Sequence, residues 1–199
     1  MKKIIYSLAF LLVVGFFVSG QAFASPVNAK DGDLGFLTLE QIEEMNEALD
    51  RLKDEANERL EKGEVDFSVS TNVSFQEEPI VMEFEGEESD VSTYAAKQQK
   101  SFSHTVKNTA GFNYSHKLYG NFYYQNGKVT DYSYDTVLSG PLYGKTVSTK
   151  ADRTDPSVVI VRSTGTFKAL KYTPFEYTTK IDIGLYGSGH YRVLKASIS

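Results

Sequence analysis

Between Gly111 and Leu138 apolar and polar side chains alternate with a period of two, which predicts a long β-hairpin turning at Asn126-Gly127. On the first arm Phe112, Tyr114, His116, Leu118, Phe122 and Tyr124 hold even positions. Asn113, Ser115, Lys117, Tyr119, Asn121, Tyr123 and Gln125 hold the odd ones. On the second arm Tyr132, Tyr134 and Leu138 are again even, against Asp131, Ser133 and Asp135. A two-residue loop would set Phe122 opposite Asp131 and Leu118 opposite Asp135, burying carboxylates at a cost of several kcal/mol. A three-residue loop, Gln125-Asn126-Gly127 with Gly127 left-handed in a bulge, instead sets Leu118 opposite Tyr134, Lys117 opposite Asp135 and Tyr132 across from Gly120. The pattern favours this second register.

Ahead of the hairpin the period is helical. Thr38 and Gln41 form a capping box, and Leu37 is placed to staple onto Ile42. A stripe of Ile42, Met45, Leu49, Leu52, Ala56 and Leu60 follows, and Gly63 stops it. The helix so predicted, Thr38 to Lys62, would span roughly 37 Å, so part of it could project beyond a small domain. The stripe suits packing on the protein's own sheet, with self-association through the helix as the alternative.

From Val65 the period returns to two. Val65, Phe67, Val69, Val73 and Phe75 predict a half-buried strand, and Ile80, Met82 and Phe84 a second beyond Pro79. Gly86 to Asp90 reads as an acidic, solvated turn. Phe102, His104 and Val106 mark a weaker strand, and Leu142 to Ser148 an edge strand. Asp152 to Pro156 reads as a polar loop, and Val158 to Val161 as a strand covered on both sides, broken at Gly165 and resumed from Thr166 to Tyr172. Phe175, Tyr177, Ile181, Ile183 and Leu185 form one arm of a final hairpin, turning at Gly187-Ser188-Gly189 into Tyr191 to Ile198. The fold class is therefore mainly β: an antiparallel β-sandwich or barrel of about nine or ten strands preceded by one long amphipathic α-helix. Phe112, Leu118, Phe122, Ile181 and Ile183 are the expected core.

Met1 to Ala24 has the pattern of a secretory signal. Lys2 and Lys3 precede an apolar run from Ile4 to Val18, and Ala22-Phe23-Ala24 supplies small residues before a cleavage point at Ser25. The run falls short of the roughly 20 apolar residues that span a bilayer. The expected division is signal 1–24, flexible lead-in 25–36, helix 37–63 and β-domain 64–199. The chain has no cysteine, which excludes disulfides, thiolate metal sites and a cysteine nucleophile. In these respects it resembles, as a broad type, the small proteins exported by Gram-positive bacteria. Localisation is expected to be extracellular or at the cell wall.

Charge is divided along the chain. Ser25 to Asp90 holds 20 acidic and 5 basic residues, whereas Val91 to Ser199 holds 6 acidic and 14 basic. One reading makes the basic half a surface for anionic polymers. The simpler one, which is favoured, has the two halves neutralise each other within one domain.

Catalytic signatures such as Gly-x-Ser-x-Gly, His-Glu-x-x-His or a Walker loop are missing from the sequence. His116 reads as a packed residue and His190 as a turn residue; no metal or other cofactor is expected. Tyrosine is the compositional oddity, with 13 and no tryptophan. Tyr119 and Tyr123 should point away from the core beside Asn121 and Lys117, and these four residues are the candidate ligand-binding surface. The expected function is non-enzymatic binding of a cell-surface polymer or a protein partner, without nucleic acid. A secreted hydrolase with an unrecognised site is one alternative. The other is a membrane-active toxin, since Asp66 to Gln76 and Ser92 to Asn108 loosely resemble the Ser/Thr-rich stretches that β-pore-forming toxins refold into membrane hairpins.

Overall fold

A computed structural model describes residues 37–86, 97–109, 113–140, 144–169 and 175–199. The predicted signal and lead-in, Phe112 and most of the acidic turn 86–90 lie outside the described residues. One helix, α1 (Leu39–Glu61), precedes nine strands: β1 (Phe67–Thr71), β2 (Ile80–Phe84), β3 (Gln98–Lys107), β4 (Ser115–Gln125), β5 (Lys128–Ser139), β6 (Gly144–Asp155), β7 (Val158–Ala169), β8 (Phe175–Tyr186) and β9 (Tyr191–Ile198). They form two antiparallel sheets with neighbours in sequence order, β1 to β5 in the first and β6 to β9 in the second.

The helix starts and stops where its sequence signals lie. Both bonds of the Thr38–Gln41 capping box are present, and Gly63 takes a left-handed conformation just past the end. Met45, Leu49, Leu52, Ala56 and Leu60 are buried in the same core as the strands, so the apolar stripe is used within the domain. Leu118, Phe122, Ile181 and Ile183 are buried as expected.

Two asparagines on α1 attach it to the free edge of β9. The Asn57 amide donates to the Val193 carbonyl (2.8 Å) and accepts from the Val193 N–H (2.9 Å). Asn46 does the same at Ile198, at 3.1 and 2.8 Å. Eleven residues of helix, 46 to 57, rise about 16 Å, and five residues of strand, 193 to 198, cover about the same distance. An odd spacing would turn Val193 and Ile198 toward opposite edges of a regular strand. A bulge solves this: Asp182 pairs with Lys195 and Ile183 with Val193, leaving Leu194 as the extra residue that brings both backbone sites to the same edge. The helix thereby does the work of a neighbouring strand.

The central hairpin corrects the expected register. Gln125 pairs with Lys128 across a two-residue turn in which Asn126 (φ 51°) and Gly127 (φ 74°) are both left-handed, the I′ geometry. A bulge at Thr130 then shifts the pairing, so that Tyr123 faces Asp131, Phe122 faces Tyr132, Gly120 faces Tyr134 and Leu118 faces Thr136. The carboxylates are kept out of the core, as the pattern required, by a bulge inside the strand rather than at the loop. Facing is preserved; partners slide by two. Gly120 lies so close to β5 that a Cβ would stand 2.0 Å from the Ser133 carbonyl oxygen. Gly120→Ala is expected to cost about 2 kcal/mol through this overpacking, read as a lower urea midpoint.

Other boundaries differ from the pattern. The strand expected from Val65 to Phe75 ends at Thr71, and Phe75 sits in a turn. Asp152 to Asp155 belongs to β6 rather than to a loop, because it pairs with Val158 to Ile160 across a turn at Pro156-Ser157. Val158 to Val161 is not covered on both sides: Val159 and Val161 are buried, while Val158 and Ile160 are partly exposed. Gly165 does not break β7. It is buried within it, where a Cβ would meet Leu138 at 2.6 Å.

A polar cluster lies where the sheets face each other. His116 Nδ1 contacts Thr179 Oγ1 at 2.7 Å and Nε2 contacts Ser163 Oγ at 2.9 Å. Ser163 also meets Thr136 (3.1 Å) and Thr149 (3.0 Å). These bonds tie β4 and β5 to β6, β7 and β8 through the middle of an apolar core.

Candidate functional site

The alternation in β4 decides what its odd residues can do. His116, Leu118 and Phe122 are buried, whereas Lys117, Tyr119, Asn121 and Tyr123 all lie on the opposite face and are partly exposed. The four candidate residues therefore share one row on the outer side of the first sheet.

Lys117, Tyr119 and Asn121 border an open groove of about 360 Å³, which Tyr123 does not line. Ser101, Ser103 and the backbone of Gly120 contribute its floor, and Glu85 and Gly86 the far side. Such a valley arises because β3 carries small residues between larger ones on β2 and β4. Lys117 Nζ lies 2.6 Å from Glu85 Oε2, and this hydrogen bond holds the Glu85 carboxyl below its ordinary range. The same ammonium is 5.7 Å from the Tyr119 ring centre. Tyr119 donates its hydroxyl to Asp135 at 3.3 Å, so the ring is held from both neighbouring sides. Asn121 Oδ1 accepts from Ser101 Oγ (2.8 Å) and from Gln99 Nε2 (3.2 Å). Further along the row, Lys97 Nζ stands 4.3 Å above the Tyr123 ring.

The periodicity of β4 locates its own four residues. Gln99 and Ser101 come from a segment whose facing the sequence leaves unclear, and the pairing of β3 with β4 brings them alongside: Ser101 opposite Asn121, Gln99 opposite Tyr123. Glu85 has the outward facing its alternation with Phe84 predicts, and the pairing of β2 with β3 brings it to the groove.

Histidine chemistry is elsewhere. His104 and His116 are buried, and burial pushes their pKa values down to about 3 and about 4, so both rings are neutral at ordinary pH. His190 is exposed beside the β8–β9 turn. It lines a second cavity of about 310 Å³ with Leu60, Glu61, Tyr191 and Arg192, where Arg192 and Glu61 form an ion pair at 3.1 Å. Among the described residues no cluster of three metal-ligating side chains occurs.

The charged halves of the sequence do meet. Lys107–Glu83 (2.5 Å), Lys117–Glu85 (2.6 Å) and Arg192–Glu61 (3.1 Å) each join the acidic segment to the basic one. Among the described residues no helix is long and apolar enough to cross a membrane.

Comparison with protein-family models, curated proteins and solved structures gave no match to this chain.

Proposed function

We propose that this protein is an exported, non-enzymatic binding domain whose contact surface is the outer face of the first sheet, taken by a cell-surface polymer or a protein partner. The observation that carries this reading is the row of Lys117, Tyr119, Asn121 and Tyr123, partly exposed and braced by neighbours beside an open groove. Tyrosine rings held in place lose little entropy on contact and offer both an apolar body and a polar tip. Export is supported by the lysines, apolar run and small residues of 1–24. A binding role without catalysis is supported by the use of His116 as a structural bond between the sheets.

The test is retention of purified protein by cell walls and by immobilised surface proteins. Tyr119→Ala combined with Tyr123→Ala is expected to lower retention at least about tenfold, a loss of about 1.4 kcal/mol. The urea midpoint should move little, since partly exposed side chains away from the core usually contribute within about 0.5 kcal/mol. Retention equal to that of the unaltered protein would remove the outer face from consideration.

A further inference from the structure

We infer that the groove takes a neutral hydroxylated ring, a pyranose unit of an uncharged glycan, rather than a polyanion. This rests on the reading of the outer face of the first sheet as the contact surface.

Charge gives the first reason. Among the described residues, the cation lining the groove is Lys117, and it is already paired with Glu85. Lys97 sits over Tyr123, and the carboxylates of Asp131 and Asp135 stand across from Tyr123 and Tyr119 on β5. Among the described residues the charges on and beside this groove leave no net positive field to hold a chain of phosphates. The outer face of the second sheet differs: Lys150, Lys168, Lys180 and Lys195 are all exposed or partly exposed there.

Hydrogen-bonding capacity gives the second. Asn121 Oδ1 is filled by Ser101 and Gln99, which fixes the amide and leaves its Nδ2 hydrogens as oriented donors. Ser101 adds a hydroxyl oxygen along the floor, Glu85 adds an acceptor, and the Tyr119 ring forms one wall. Fixed donors and acceptors beside an aromatic ring match a sugar, which offers hydroxyls around its rim and C–H groups on its faces. A volume of about 360 Å³ lies at the small end of the range for ligand clefts and suits a short saccharide.

The experiment titrates the purified protein with neutral β-linked trisaccharides of glucose and of N-acetylglucosamine, and separately with inorganic polyphosphate, following side-chain amide and aromatic NMR signals. At least one trisaccharide is expected to shift the Asn121 amide and Tyr119 ring signals at millimolar concentration, with affinity unchanged up to roughly 0.5 M salt. Asn121→Asp, which replaces the donor with a charged acceptor, should weaken this binding about tenfold while the remaining spectrum stays that of the folded protein. Polyphosphate should leave the Asn121 signal in place. If polyphosphate shifts Asn121 and salt abolishes the effect, or if neither trisaccharide does so, the inference is overturned. Should wall or protein retention still depend on Tyr119 and Tyr123 in that case, the contact surface stands and only its ligand class is lost.

Discussion

His104→Leu is expected to stabilise the protein, by about 1–2 kcal/mol near neutral pH and by more in acid. The ring stacks on Phe84 at 4.7 Å between centres, it is fully buried, and neither ring nitrogen has a hydrogen-bond partner among the described residues. Leucine is close in volume and removes two unsatisfied polar atoms from the core. The acid effect follows from linkage. Burial lowers His104 to about 3 and His116 to about 4, against an ordinary value of 6.5. A depressed folded-state pKa means that the unfolded chain binds the proton first. Stability is therefore full above about pH 6.5 and falls with pH until it levels off near those two lower values. At about pH 4.5 each ring costs about 2.5 kcal/mol relative to neutral conditions. Urea midpoints measured between about pH 4 and 8 should show the variant losing roughly half as much stability as the parent on this limb. Parallel curves for the two proteins would show that His104 is not a source of acid sensitivity.

Asn57→Ala is expected to destabilise the fold by about 3 kcal/mol, because it strips the Val193 N–H and carbonyl of their partner at a buried site. Asn57→Asp discriminates the cause. It preserves size and the acceptor for the Val193 N–H but loses the donor to the carbonyl and buries a charge, so it should be at least as damaging at neutral pH and partly recover in acid as the carboxyl protonates. If aspartate proved harmless, the bond from Asn57 to the Val193 carbonyl would not be a source of stability. Asn46→Ala should cost less, since its bonds to Ile198 are only partly buried.

The two asparagines show where reading the sequence stops. The alternation of β4, β8 and β9 and the stripe of α1 were legible because each repeats one physical contrast, wet against apolar, many times over. Asn46 and Asn57 stand among acidic and polar helix residues, and nothing local separates a strand-edge cap from a solvated amide. Ser163 and Thr179 are similar: both lie on the inward face of their strands, but a lone hydroxyl amid serines and threonines gives no sign that His116 will meet it. In the hairpin, the cost of a buried carboxylate fixed which face each residue takes, while the choice of partners depended on a bulge at Thr130 for which the sequence has no distinctive residue. The four candidate residues on β4 were likewise legible from parity. The facing of Gln99 and Ser101 was not, and although Glu85 read as outward, its meeting with Lys117 was not legible, because strand order determines which side chains become neighbours across a sheet.

The attachment of α1 to β9 has a temporal consequence. The earliest described element docks on the latest, across 136 to 152 residues of intervening chain. During synthesis the helix can meet β1 and β2 early but lacks its most extensive partner until β9 emerges, so part of its apolar side stays available to whatever escorts the nascent chain. Completion of the fold thus waits on the final strand, and a molecule halted short of Val193 would carry its greasy stripe only partly covered, by β1 and β2.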